Sequence, residues 1–391
     1  MKSNYRKLGE YIQQVDVRNA EGKKENLLGV SVQKVFIPSI ANTVGTDFTK
    51  YKVVKKGQFT YIPDTSRRGD KIGIALLEEY EEGLVSNVYT VFEIINENEL
   101  LPKYLMLWFN RPEFDRYARF KSHGSVREVM DWEEMCNVEL PVPDIRKQRE
   151  IVNSYKVISD RIELKQKIND NLVDVGVSSI QKNIGRGALI NLTEFEMDNM
   201  VLSDGSTIKT VSEFCVETKS GSTPSRTQNV FWENGNISWV KSGEVHNNIT
   251  LQTEECITEA GLTGSSTKLL PKDTVLMAMY GVTAGEVGYL GIEATTNQAI
   301  CGMICNSKYE AAYLYFSLIQ SQVEISRLSN GGAQDNLSKN FIDNIKLVVP
   351  PIEYIKGLNL SAIIEQMTLN YKEIALLQEL QAVSLSQISS R

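Results

Sequence analysis

Apolar positions along the chain fall into two kinds of pattern, short runs of strand character and two long helical stripes, and the stripes organise everything else. From Val142 to Ile184 the sequence passes Pro143 and Asp144 and then continues without proline. Ile151, Tyr155, Ile158, Ile162, Ile168, Leu172 and Val175 recur mostly three or four apart, the spacing of one helix face. At about 1.5 Å per residue such a helix is about 60 Å long, and a narrow stripe of that length requires a partner along it. The segment from Val349 supplies one. After Pro350 and Pro351 it carries Leu360, Ile363, Ile364, Met367, Tyr371, Ile374, Leu377 and Leu380.

Ahead of each stripe the chain repeats itself. KLGEYIQQVDVRN from Lys7 has a counterpart in TVSEFCVETKSGSTPSR from Thr210. KKGQFTYIPDTSRRGDKIGIALL from Lys55 parallels PKDTVLMAMYGVTAGEVGYLGI from Pro271, each a strand-like run, a glycine turn and a second run. SNVYTVFEI and TNQAICGMI follow, then the aromatic helices LPKYLMLWFN and AAYLYFSLIQ. Next come SHGSVREVM against SNGGAQDNL, and NVELPVPD against NIKLVVPP. The predicted fold class is therefore α+β: two mixed α/β globules, residues 1–142 and 206–349, separated by a long antiparallel two-helix coiled coil, residues 143–184 and 350–391. Residues 185–205 read as a linker, and the duplication implies an approximate two-fold relation. Ile151, Tyr155, Ile158, Ile162 and Leu172 are expected to meet Ile363, Met367, Tyr371, Ile374 and Leu377 in the coil.

Composition narrows the class. At 391 residues, 42% hydrophobic and 23% charged, the chain has material for two or three cores. No apolar window is long enough to span a bilayer and Met1–Glu10 lacks a signal-peptide core, so a cytoplasmic location is expected. Five cysteines without a CxxC pair, beside only two histidines, point to reduced thiols rather than a zinc site. The net charge of −7 argues mildly against nucleic acid, but local charge governs binding. Lys50–Lys71 holds seven basic against two acidic residues, and Arg111–Arg127 holds five against two.

A search for chemistry excludes more than it finds. GxSxG, GxxxxGK[ST], HExxH, the Rossmann GxGxxG and the Asn-Pro-Pro-Tyr tetrad of base methyltransferases are all absent. Gly281–Gly288 has the glycines of a phosphate loop without its lysine, as a tight hairpin turn would. Cys301 and Cys305 lie on a buried-strand pattern, and His123 lies in a polar loop without a nucleophile nearby.

What remains is a duplicated binding architecture, and its motifs are specific. SGSTPSRTQNVFWENGNISWVKSGEV from Ser220, TTNQAI from Thr295 and GGAQDNLSKNFIDNIKLVVPP from Gly331 resemble the recurring segments of the DNA-specificity subunit of type I restriction-modification enzymes. In the first globule, FIPSIANTVGTDFTKYKVVKKGQFTY and LPVPDIRKQREIV resemble the corresponding parts of that family. The resemblance covers essentially the whole chain. It departs at IEYIKGLNL, where the usual Glu-Gln pair is missing and Gly357 enters the first turns, predicting a frayed or kinked start to the second helix.

The resemblance implies a subunit with no enzymatic activity whose globules are target-recognition domains, each reading one half of a bipartite, asymmetric DNA sequence. The helices would set the spacer and dock two adenine-methylating subunits carrying S-adenosylmethionine. Restriction subunits using ATP and Mg would join them. The alternative class is a coiled-coil scaffold whose globules bind protein or carbohydrate. Contact candidates follow from chemistry, since forked side chains read base edges while cations, hydroxyls and amides hold phosphates. They are Asn42, Thr43, Arg67, Arg68, Lys71, Lys121, Ser125 and Arg127 in globule one. In globule two they are Lys219, Ser222, Thr223, Ser225, Arg226, Lys241, Ser242, Gln334 and Asn336. Ser222–Arg226 belongs to the recurring signature and so suits a turn or a phosphate as well as a base. Gln334 and Asn336 can also act as caps.

Overall fold

A computed structural model describes residues 5–39, 45–64, 71–122, 128–190, 202, 205–329 and 336–388. The chain divides into two compact units. Unit 1 comprises Met1–Arg161 with Leu377–Arg391, and unit 2 comprises Ile162–Leu376. The dividing points fall inside the long helices, so each unit owns a globule and a share of both stripes. This differs from a division at the helix ends, because the helical residues pack onto the globules as much as onto each other.

In unit 1 a four-stranded antiparallel sheet runs in the order Ile12–Val15, Thr90–Ile94, Phe59–Tyr61, Ile74–Leu76. Alternation along the strands sends Phe59, Tyr61, Ile74 and Phe92 into one core. There Phe59 stacks on Phe92 at 4.9 Å, and Phe109 meets both rings edge-on, the offset and T-shaped geometries that ring quadrupoles favour. The helices Pro102–Phe109 and Pro112–Lys121 close this face. Each begins with proline, whose missing N–H costs nothing in a first turn.

Unit 2 repeats the plan with the order Glu217–Ser220, Ile300–Ile304, Val275–Ala278, Val287–Leu290, and adds Ile249–Thr250 in parallel at the edge. Val275, Met277, Val287, Tyr289, Cys301 and Met303 enter a large core under the helix Lys308–Gln320. Leu276, Ala278, Leu290 and Ile300 enter a smaller one on the opposite face. These strands are apolar on both sides because both sides are covered. The glycine-rich stretch is a hairpin connection containing the short 3-10 turn Gly281–Thr283, and Cys301 and Cys305 belong to a buried strand and its end.

The duplication extends to hydrogen-bond register. Lys7 pairs with Glu139 and Thr210 with Lys346. Leu8 N–H donates to Val138 O, and Val211 N–H to Ile345 O, each at 2.8 Å. Likewise Met130 N–H reaches Pro63 O and Leu337 N–H reaches Met279 O, each at 2.9 Å.

The first long helix is continuous from Ile145 to Asn183. Asp144 Oδ1 accepts from the Arg146 and Lys147 amides, capping its orphan N–H groups. Fully buried Gln148 ties the helix to globule one: its amide donates to Glu99 O and Pro143 O and its oxygen accepts from Leu101 N–H. Ile151, Val152 and Tyr155 pack against the unit 1 core, which Leu385 of the second helix and Ile388 just past its end also join. In the same unit Gln381 donates to Ser159 Oγ at 2.7 Å. In unit 2, Lys165 pairs with Glu373 at 2.9 Å and Asn370 donates to Asn169 at 2.7 Å. Rising numbers on one helix meet falling numbers on the other, the antiparallel order. Ile162, Met367 and Ile374 are buried, and Ile158, Leu172, Ile363, Tyr371 and Leu377 are half-buried.

Three expectations need correction. Val175 is 55% exposed; the packed face runs through Leu172, Val173 and Gly176, where a Cβ would lie 2.3 Å from the Phe316 ring. The predicted linker 185–205 opens with structure, since Ala188–Leu189 pairs with Lys346–Val349. Gly187 admits that approach because a side chain there would strike Ser317. Finally, the second helix is interrupted as expected, but the break is at Asn359 rather than Gly357. Ile352–Gly357 forms one helix, Asn359 adopts φ 56°, and Leu360–Gln387 forms the next. Asparagine enters the left-handed region more readily than most residues with a side chain.

Candidate nucleic-acid interface

Much of the positive charge counted in globule one is spent on structure. Lys52 is buried, donates to Tyr89 O at 2.8 Å and has its pKa lowered by desolvation. Lys50 faces Asp47 and Lys56 faces Glu81. Arg111 is buried with its guanidinium 4.2 Å from the centre of the Trp108 ring. Lys50, Lys52 and Lys56 of the first basic run are thus engaged, by Asp47 close by in sequence and by Tyr89 O and Glu81 farther along the chain.

The second run retains an outward face. Lys71, Pro112, Asp115, Arg116, Arg119 and Phe120 line a groove of about 530 Å³. Its one carboxylate, Asp115, is engaged from beneath: Lys34 lies 2.9 Å away, donates to Phe109 O and rests over the Phe114 ring. Asp115 also accepts from the Ile72 amide at 3.2 Å. Burial lowers the Lys34 pKa while Asp115 opposes the shift. Lys121 turns toward Glu134 at 3.6 Å and lies over Tyr117. Asn42, Thr43, Arg67, Arg68, Ser125 and Arg127 lie outside the described residues, as does His123.

In globule two the candidates gather around two tryptophans. The Arg226 guanidinium lies 3.6 Å from the Trp232 ring centre and 4.9 Å from that of Trp239, and it ion-pairs with Glu255. Glu255 also faces Lys241 at 3.3 Å, and its carboxyl is held below the usual range first by Arg226. Lys241 pairs with Glu254 as well, which raises its pKa. Trp239 Nε1 donates to Ser222 O and Trp232 Nε1 to Ser225 O, both at 3.1 Å. Ser222 Oγ accepts from Ser266, Thr223 donates to Gln298, and Ser225 Oγ contacts the Thr227 hydroxyl. Gly221 leaves no room for a side chain: its Cβ would sit 2.2 Å from Thr296 O. Lys219 pairs with Glu217 at 2.7 Å. Ser242 opens the 3-10 turn Ser242–Glu244.

The signature segment is therefore a cross-braced strap. Its arginine is stacked and neutralised, as suits a residue that shapes a loop. Asn336 is exposed and bridges to Tyr280, and Gln334 lies outside the described residues. Sequence reading missed Phe120, whose exposure becomes visible only once the buried face of its helix is known. It also missed Asn169 and Asn370, both almost fully buried within the apolar stripe.

With fold and surface in place, the comparisons are direct. The family model described as the type I restriction modification DNA specificity domain matches residues 3–173 and again 204–378, and the chain belongs to that family. It is 23% identical over 266 residues to a type I restriction enzyme specificity subunit of Escherichia coli; that match covers 66% of this chain, which spans 61% of the E. coli protein's length. It is 21% identical to the HindI specificity subunit of Haemophilus influenzae, over 78% of this chain and 79% of that one. The crystal structure of a type I restriction-modification S subunit from M. genitalium superposes with a TM-score of 0.54 at 14% identity, covering 99% of this chain and 96% of that one. That likeness is one of fold. No helix among the described residues is long and apolar enough to cross a membrane.

Proposed function

We propose that this chain is the DNA-specificity subunit of a type I restriction-modification complex. Each globule reads one half of a bipartite, asymmetric duplex target. The observation that carries this reading is the duplication itself: two frames share strand order and register while the side chains they present differ. Two such readers on one chain suit two unlike half-sites, which recur on one face of DNA about every 34–36 Å.

The long helices set the spacing between half-sites and dock two adenine-methylating subunits. Methylation, ATP hydrolysis, translocation and cleavage reside in partner subunits, which would carry S-adenosylmethionine, ATP and Mg. This chain contributes recognition and no chemistry. Methylation mapping in cells with and without the gene tests the reading. A bipartite motif methylated at adenine on both strands is expected to vanish on deletion, and an unchanged methylome overturns the assignment.

A further inference from the structure

The outward face of the helix Pro112–Lys121 sets an exposed aromatic ring among cations. Phe114 and Ala118 anchor the helix in the core, while Phe120 stands 83% exposed beside the groove lined by Lys71, Arg116 and Arg119. An exposed apolar side chain alone needs no explanation, but this one recurs. In globule two the matching helix, Gln322–Ser329, lies 207 residues further on, in register with Ser122 against Ser329. Ser321, which immediately precedes it, and Ile325 are buried and answer to Phe114 and Ala118. Arg116 and Phe120 are then matched by Val323, 65% exposed, and by exposed Arg327. Both copies therefore place one arginine and one large apolar residue four apart on the same outer face, in reversed order. Residues four apart on a helix point the same way.

We propose that this helix face is a DNA-contact surface in each globule, a reading that rests on the DNA-specificity assignment. In globule one Lys71, Arg116 and Arg119 hold phosphates, and the Phe120 ring presses on base edges between them. In globule two Arg327 supplies the cation and Val323 the apolar contact. Charge selects the occupant. The groove's carboxylate is already taken by Lys34, so the lining presents a positive rim around a ring, which suits a duplex whose phosphates flank thymine methyls and base edges. The exposed Arg116–Glu113 pair at 3.2 Å is of a kind that exchanges readily for a phosphate. Reversal of the pair between copies would turn the same contact into different half-site preferences.

The test uses the full chain assembled with its methylating subunits and two duplexes, one bearing the motif methylated in cells and one scrambled, over a salt series. Phe120→Ala should weaken binding to the motif duplex about tenfold, with the salt slope, the scrambled-duplex affinity and thermal stability as in wild type. Arg116→Gln and Arg327→Gln should each lower the salt slope by about one on both duplexes. Wild-type affinity of Phe120→Ala for the motif duplex overturns the proposal. So does a Phe120→Ala chain that fails to assemble with the methylating subunits while binding DNA normally once assembled, because the ring would then be a protein contact. A wild-type complex that does not distinguish the two duplexes removes the underlying specificity assignment instead.

Discussion

The two globules share a frame and differ in what holds it. Unit 1 relies on stacked phenylalanines, a buried ion pair between Lys34 and Asp115, and the amide of Gln148 serving three backbone groups. Unit 2 has Ile355 at the position 207 residues beyond Gln148, buried and apolar, and Ser307 caps the following helix by accepting from the Glu310 amide. Its signature loop is braced by tryptophans around Arg226. Register belongs to the backbone pattern, so it survives replacement of a polar anchor by an apolar one, provided the orphaned backbone groups find another partner. The lesson is that the frame is specified redundantly, whereas each brace is local to its own unit.

Breaking the braces separates the units. The largest effect is expected from Lys34→Met, which strands Asp115 under the groove and should destabilise unit 1 by about 3–5 kcal/mol. Hydrogen exchange under denaturant should show the loss in unit 1 peptides, and equal loss in unit 2 would refute the local role. Next, Gln148→Leu leaves three backbone partners unserved and should cost about 2–4 kcal/mol. Ile355→Gln, which buries an amide in an apolar setting, should cost unit 2 a similar amount, and a neutral result for both would mean the anchors are interchangeable.

Smaller changes sharpen the contrast between a continuous and an interrupted helix. Gly357 has open space where a side chain would go, so Gly357→Ala should stabilise unit 2 by about 0.5–1 kcal/mol. Asn359→Ala should cost about 1–2 kcal/mol because alanine is strained at positive φ. The reverse pattern in thermal unfolding, with Gly357→Ala destabilising and Asn359→Ala neutral or stabilising, would place the break at Gly357 after all. The smallest effect is acid sensitivity. Among the described residues unit 2 carries three carboxyls held below their ordinary 4.5: Glu213 by the Thr210 amide, Glu255 by Arg226 and Glu365 by Lys308. Among the described residues unit 1 carries one depressed carboxyl, Asp47, held by Thr49. A depressed carboxyl contributes stability that is complete above its unfolded value and lost as pH falls through the folded one. Lowering the pH below about 4.5 should therefore loosen unit 2 before unit 1, as read by exchange rates at pH 3 against pH 6.

The duplication, both long helices and the sheet hairpins were legible in sequence because each rests on periodicity, and periodicity survives divergence. Charge was not legible in the same way. Lys52 and Arg111 counted toward a binding surface and instead serve Tyr89 O and Trp108, since a sequence shows how many cations there are but not where their acceptors fold. Arg226 was recognisable as part of a signature, yet its role emerged only from Trp232, Trp239 and Glu255 around it. Asn169 and Asn370 interrupted the apolar stripe as single polar letters, and the folded chain shows Asn370 donating to Asn169 and accepting from Lys165 and Gln366.

The closing of unit 1 by Leu385 and Ile388 has a consequence for synthesis. Unit 2 is one uninterrupted stretch, Ile162–Leu376, whereas the core of unit 1 takes its last apolar contacts from residues made after all of unit 2. As the chain leaves the ribosome, every residue of the second unit precedes the side chains of Leu385 and Ile388 that complete the first. Order of emergence and order of completion are thus inverted, and the first-made domain is the last to be finished.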